Sequence, residues 1–308
     1  MNILVTGGAG FIGSNVVDGY IREGHNVIVV DNLITGKPGN LNPSAKFYKT
    51  DIRDRKGLED IFRGNKIDCI NHHAAQMDVR RSVDDPIYDG DVNILGSLNL
   101  LQLSVKYGIK KFIFASTGGA IYGEQKYFPA DEGHPLNPLS PYGISKLALE
   151  KYLYFYKMTY NLDYTILRYA NVYGPRQDPH GEAGVIAIFT KKILKGEQPV
   201  INGDGEQTRD YVFVEDVIYA NILSAKDNLN GTFNIGTGIE TSVNKLCDTI
   251  LTIAGLNIKP IYGPAKMGEQ RRSVVSFSRI NSECSWQPRY AIEEGLAKTV
   301  EFFKREGV

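Results

Sequence analysis

The stretch Ile3-Leu4-Val5-Thr6-Gly7-Gly8-Ala9-Gly10-Phe11-Ile12-Gly13 decides the fold. Its apolar start reads as a buried parallel strand, and a helical pattern continues past the glycines to about Glu23. Gly7, Gly10 and Gly13 leave room for a tight turn, for a pyrophosphate against backbone amides and for close helix–strand packing. A lone glycine triplet is weak evidence. With a strand before it and a helix after it, the triplet is a dinucleotide-binding fingerprint. Working outward, Asn26–Val30 is the next strand and ends at Asp31-Asn32. An acid about twenty residues past the glycines, at a strand end, suits a ribose 2′-hydroxyl and repels a 2′-phosphate, which favours NAD over NADP.

Further strand–helix units follow. Lys46–Thr50 leads to Asp51-Ile52, and a polar helix spans about Lys56 to Arg63. Strand Ile67–Asn71 runs into His72-His73-Ala74-Ala75-Gln76, where small residues let a cofactor approach. The two histidines lack a metal-ligand pattern and read as structural. A long helix is predicted from about Asp89 to Tyr107, then strand Lys111–Ala115 and the hydroxyl-bearing Ser116-Thr117. This alternation predicts an α/β fold with a doubly wound parallel Rossmann sheet, its ligands at the carboxyl ends of the strands.

In Ser140-Pro141-Tyr142-Gly143-Ile144-Ser145-Lys146, Ser140 is a helix N-cap and Pro141 sits at N1. Tyr142 and Lys146 fall one turn apart, on the face that carries Leu149, Leu153, Tyr156 and Tyr160. A cation beside a phenol favours the phenolate, so the pair is a poised acid–base couple. An ordinary Tyr–Lys surface pair is the competing reading of these residues alone.

After strand Tyr164–Arg168 the pattern loosens. The segment Gly203–Tyr211 reads as turn-rich and carries Arg209; Gly268–Arg272 is a second basic loop. Paired donors there suit a diphosphate. The expected division is 1–168 for the NAD-binding Rossmann domain and 169–308 for a smaller α/β substrate-binding lobe, with some segments returning to the first. The 308 residues carry 35 basic and 35 acidic side chains, so no global field draws the chain to nucleic acid or a membrane. Three scattered cysteines, Cys69, Cys247 and Cys284, fit reduced thiols in the cytoplasm and no metal site. The start lacks a cleavage signal, and no apolar run approaches the roughly 18 residues of a membrane span.

The glycine loop, Asp31, Thr117, Tyr142-x-x-x-Lys146 and Arg168-Tyr-Ala-Asn-Val-Tyr-Gly-Pro-Arg176 together resemble an extended short-chain dehydrogenase/reductase. The resemblance runs the length of the chain and is nearest to NAD-dependent nucleotide-sugar epimerases of the UDP-glucose 4-epimerase type. It implies a UDP-sugar substrate, C4 epimerisation in galactose metabolism, NAD as cofactor and a homodimer paired through helices near Asp89–Tyr107 and Tyr142–Tyr160. A UDP-uronate 4-epimerase or another nucleotide-sugar short-chain dehydrogenase/reductase, and less so a non-catalytic NAD-binding regulator, are the alternatives. The resemblance places Gly7, Gly10, Phe11, Ile12 and Gly13 on the pyrophosphate, and Asp31 and Asn32 on the adenosine ribose. Asp51 and Ile52 fall at the adenine, and Ala74, Ala75, Gln76, Asn93 and Tyr169 along the cofactor. Tyr142, Lys146 and Thr117 become catalytic; Asn171, Arg209, Glu269 and Arg271 become contacts to the sugar nucleotide.

One position departs from the family pattern. The usual catalytic hydroxyl lies four residues before the Tyr of Tyr122-Gly123, which is Gly118 here. A glycine bulge at Gly118-Gly119 would swing Thr117 into place, with Ser116 as the fallback. No acid follows that hydroxyl, and sugar dehydration needs one. Finally, Ser273 falls near a family gate position, where a small residue leaves room for an N-acetyl group.

Overall fold

The computed structural model describes residues 1–179, 184–226, 229–265 and 270–307. The strands are β1 (Asn2–Thr6), β2 (Asn26–Asp31), β3 (Lys46–Lys49), β4 (Cys69–His72), β5 (Lys111–Thr117), β6 (Asp163–Tyr169), β7 (Asn171–Tyr173), β8 (Val200–Asn202), β9 (Thr208–Phe213), β10 (Gly231–Ile235), β11 (Glu240–Ser242), β12 (Ile261–Gly263) and β13 (Arg272–Ser273). The main sheet has the order β10-β6-β5-β4-β1-β2-β3 and every ladder in it is parallel. Order reverses between β1 and β4, which opens a crevice at their carboxyl ends.

Strand parity builds the two flanking layers. Ile3, Val5, Val27 and Val29 point into one core, whereas Leu4, Ile28 and Val30 point into the other. Helix Pro141–Tyr160 covers the second face with Leu149, Leu153 and Tyr156, but Tyr160 lies outside the expected buried stripe and is exposed. Ser140 caps this helix by accepting from Gly143 N at 3.2 Å, and Pro141 takes N1 as anticipated.

The smaller lobe holds two sheets. In one, β9 is flanked by β11, β13 and β7; in the other, β8 pairs with β12. The supposedly turn-rich Gly203–Tyr211 stretch therefore contains four of the six residues of β9, Thr208-Arg209-Asp210-Tyr211. β10, far along the chain, closes the edge of the main sheet.

The long helix also differs from expectation. It starts at Pro86 with Asp85 accepting from Tyr88 N at 2.9 Å, an N-cap signal the periodicity had obscured. Residues Asp91–Gly96 are then wound as a π-helix before Ser97–Lys106. Such a widened turn inserts an extra residue and is characteristic of functional sites; here it carries Asn93. Among the described residues, no helix is long and apolar enough to cross a membrane.

Candidate functional site

At the cofactor end, Gly7 has φ +69°, and a Cβ there would lie 2.6 Å from Ala74 N. A Cβ at Gly13 would lie 2.2 Å from Gly7 O. Both glycines are therefore fixed by close backbone approach. Helix Phe11–Arg22 begins at Gly10 with no side-chain cap, so the amides of its first turn face the crevice as an anion site. The buried Asp31 carboxylate accepts from Ala9 N at 3.0 Å and from Leu33 N at 2.8 Å, tying the glycine loop to the end of β2. Asn32 donates to Asp51 at 2.8 Å. The Arg53 guanidinium, hydrogen-bonded to Asp51, holds that carboxyl down at about 2. Ile52 is buried against Gly96.

The opposite wall is a chain of buried bonds. Ala74 N donates to Thr6 Oγ1 at 3.2 Å, which lies 2.7 Å from His72 Nδ1, and His72 Nε2 lies 2.7 Å from Ser97 Oγ. Asn93 clasps Gln76 reciprocally, accepting from its N–H at 2.8 Å and donating to its carbonyl at 2.9 Å. Desolvation pulls both imidazoles down, His73 to about 3, so they are neutral packing groups. Tyr169 is buried, with its hydroxyl accepting from Asn221 and its ring stacked on His73. No group of three or more His, Cys, Asp or Glu among the described residues is arranged to hold a metal.

The acid–base pair lies between this wall and β5. Lys146 is buried, and its Nζ donates to Ala115 O at 2.9 Å, 5.7 Å from the Tyr142 ring centroid. Burial lowers Lys146 to about 8. Ser116 points into the protein and donates to Glu150 Oε1 at 2.6 Å. Arg168 grips the same carboxylate through Nε at 3.0 Å and Nη2 at 2.6 Å, and reaches the Tyr122 hydroxyl at 3.0 Å. This buried network was missed in the sequence, although Glu150 stands one helical turn past Lys146 on the same face.

Thr117 is half-buried, and its Oγ1 accepts from Ala120 N at 3.1 Å. Gly118 and Gly119 do not form the expected bulge. The β5–β6 ladder stays in register through Thr117 and Tyr169, Gly118 N donates to Tyr169 O at 2.7 Å, and the glycines then turn the chain. Thr117 thus emerges by ending the strand. A Cβ at Gly119 would lie 3.6 Å from Asn171 Oδ1 and 3.9 Å from Thr117 Oγ1, so the glycine keeps the space between those two groups open.

In the smaller lobe, Ser273 pairs with Arg209 across β13 and β9 and is buried. Arg209 donates to Thr208 O at 2.8 Å. Arg271 is exposed and makes a two-pronged ion pair with Asp204 at 2.8 and 2.9 Å. Glu269 lies outside the described residues.

A family model described as the NAD dependent epimerase/dehydratase family matches residues 3–236. The crystal structure of UDP-glucose 4-epimerase with UDP-glucose from Thermotoga maritima is 52% identical, covers 100% of both chains and superposes with a TM-score of 0.98. The Thermus thermophilus UDP-glucose 4-epimerase in complex with NAD is 44% identical over 99% of each chain, TM-score 0.94. The UDP-N-acetylglucosamine 4-epimerase of Methanobrevibacter ruminantium, in complex with UDP-N-acetylmuramic acid, is 38% identical over 99% of this chain and 98% of that one, TM-score 0.94.

The two adjacent hydroxyls should separate in stability measurements. Ser116→Ala strips a donor from a buried carboxylate and should cost about 1–3 kcal/mol in urea unfolding. Thr117→Val loses one bond in a half-exposed turn and should cost less than about 1 kcal/mol. An equal cost would mean that Ser116 does not bear on the buried network.

Proposed function

The chain belongs to the NAD-dependent epimerase/dehydratase family, and on that premise we propose that it epimerises C4 of a UDP-sugar, interconverting UDP-glucose and UDP-galactose. What carries the reading is Lys146, whose Nζ holds Ala115 O two residues before Thr117 and lies 5.7 Å from the Tyr142 ring centroid, in a chain 52% identical to an epimerase with UDP-glucose. NAD fits the residues present: the Gly7–Gly13 cradle has no room for a side chain, and the first turn of helix Phe11–Arg22 is uncapped toward it. Gly7, Gly10, Phe11, Ile12, Gly13, Asp31, Asn32, Asp51, Ile52, Ala74, Ala75, Gln76, Asn93 and Tyr169 would hold it or shape its site. When bound, NAD supplies the acceptor and donor of hydride.

Tyr142 as phenolate takes the proton of the C4 hydroxyl. The Lys146 ammonium stabilises that phenolate. Thr117 donates to the C4 oxygen as it becomes a carbonyl, and Asn171 meets the sugar nucleotide across the gap left by Gly119. Arg209, Arg271 and Glu269 hold the diphosphate and uridine end while the 4-keto sugar turns to present its other face. Gly118 and Gly119 supply no acid for dehydration, which favours epimerisation over loss of water. Incubating the purified protein with UDP-galactose and no added cofactor should yield UDP-glucose; no turnover, with NAD retained, overturns the reading.

Ser273 extends it. A buried serine beside Arg209 leaves volume that a Tyr ring would fill, and a relative 38% identical is a UDP-N-acetylglucosamine epimerase. The enzyme accepts both classes of sugar.

The functional unit is a homodimer. Ile87 and Leu95, before and within the π segment, and Ile144 and Phe155 on helix Pro141–Tyr160 are exposed apolar side chains on helices that pack together, Ile87 at 84%. Apolar helix faces of this kind associate isologously about a two-fold axis.

Three measurements check these assignments. Tyr142→Phe should lower turnover by roughly 10² to 10⁴ with NAD still bound; near-normal turnover would exclude Tyr142 as the base. Ser273→Tyr should suppress the N-acetylated substrate and spare the hexose, since a steric block acts on only one of the two; equal loss of both would place Ser273 elsewhere. Light scattering at micromolar concentration should give twice the chain mass, and a monomer would rule out the dimer.

A further inference from the structure

Three buried polar side chains form one row across the main sheet. Ser116 on β5 stands opposite Arg168 on β6, and Arg168 stands opposite Asn234 on β10. Directly opposed residues share a face of a sheet. Here it is the face that helix Pro141–Tyr160 covers, because Phe114 and Ile166, two residues earlier on their strands, pack with Leu149 and Leu153. Two further side chains complete the row. Glu150 of that helix accepts through Oε1 from Ser116 Oγ at 2.6 Å and Arg168 Nε at 3.0 Å, and through Oε2 from Arg168 Nη2 at 2.6 Å. Arg168 Nη1 donates to the Tyr122 hydroxyl at 3.0 Å, which donates in turn to Asn234 Oδ1 at 2.6 Å. The row stands just before the strand ends assigned to the substrate: Thr117 follows Ser116, and Asn171 comes three residues after Arg168. On the helix, Glu150 is one turn past Lys146 and two past Tyr142.

We propose that Glu150 and Arg168 are positioning residues of the epimerisation, their two-pronged ion pair setting the helix of Tyr142 and Lys146 against the two strands of Thr117 and Asn171. The inference rests on the epimerase reading for the step it serves.

The Lys146 bond to Ala115 O reaches one strand from the tip of a long side chain. It sets a distance and leaves direction open. Glu150 adds a second point of attachment, roughly 6 Å further along the helix axis, and shares it between β5 and β6. A carboxylate held by both prongs of a guanidinium is fixed in angle as well as in distance. The Tyr122 hydroxyl, itself tied to Asn234, holds the remaining prong, so Arg168 is braced toward Glu150. Stability alone does not account for such a pair, because apolar residues of the same volume are often as stabilising as a buried ion pair. The diphosphate end of the substrate is assigned to Arg209 and Arg271 in the smaller lobe, away from this row. A displaced helix therefore alters the approach of Tyr142 to the C4 hydroxyl and leaves that grip intact. Misplacement by about 1 Å can cost roughly 10²-fold in rate.

Replacing both charges separates position from stability. Glu150→Met alone leaves the guanidinium buried without its counter-ion and should lower the urea unfolding midpoint. Adding Arg168→Met removes that charge and should bring the midpoint back toward the wild-type value. Turnover of UDP-galactose should not follow it: kcat of the double variant stays at least about tenfold below wild type, while KM changes by less than about twofold. A kcat that recovers together with the midpoint overturns the proposal, since the pair then serves folding alone. If the double variant fails to fold, Arg168→Lys keeps the charge and gives up the fork. A kcat about tenfold down at unchanged KM then supports the proposal, and a wild-type kcat overturns it. If the wild type turns over no UDP-sugar, the epimerase reading falls, and crystal structures of the wild type and the double variant decide this one. Tyr142 displaced relative to Thr117 supports it; side chains that superpose overturn it.

Discussion

An ammonium taken out of water is the constraint to which the site is built. Lys146 gives up hydration for one carbonyl, Ala115 O at 2.9 Å, and the faces of two rings, Phe114 and Tyr142. Such a charge is costly unless fully partnered. Its partner must therefore be rigid, and Ala115 lies in the middle of the main sheet, in register with Leu167 on β6. The bond fixes the Pro141–Tyr160 helix along β5, and with it the place of Tyr142, one turn back, relative to Thr117, two residues on. The Ser116–Glu150 contact is a second fastening between the same strand and helix.

Strand parity explains why the adjacent hydroxyls differ. Phe112 and Phe114 pack in the layer of Leu149 and Leu153, whereas Ile113 and Ala115 pack in the other. Ser116 continues the first series and meets Glu150 on the helix that covers that layer. Thr117 belongs to the second series, at the point where the strand ends and the chain turns. Counting residues back from Tyr122 could only suggest a bulge. Applying the alternation of the strand to the same sequence separates the two hydroxyls without one.

What was legible in the sequence is what local chemistry dictates. The glycines, Asp31, the Ser140-Pro141 cap and the strand–helix alternation each depend on near neighbours, and each stands where it was read. What escaped reading depends on distant partners. β9 is a strand because β7, β11 and β13 flank it, and the turn formers Gly203-Asp204-Gly205 just before it obscured where it starts. Arg168 and Glu150 look like ordinary charges until β6 and the helix bring them together, buried. The π segment at Asp91–Gly96 leaves the apolar spacing nearly intact, so periodicity read the whole stretch as one regular helix.

The way the two lobes join grades the rigidity of the site. Only Ala170 separates β6 from β7, so the chain passes from the main sheet to the lobe sheet within a single residue. Asn171 is thereby tied to the strand that pairs with Thr117, and the β7–β9 and β9–β13 ladders carry that placement on to Arg209 and Ser273. Groups that must meet a reacting carbon within a fraction of an ångström belong on such a frame. Arg271 stands outside it. It is exposed, just before β13, and its partner Asp204 is itself exposed. An ion pair in that setting is worth little, because water and salt screen it. Exchanging Asp204 for another anion therefore costs little at Arg271, whereas Asn171, Arg209 and Ser273 are set by backbone ladders.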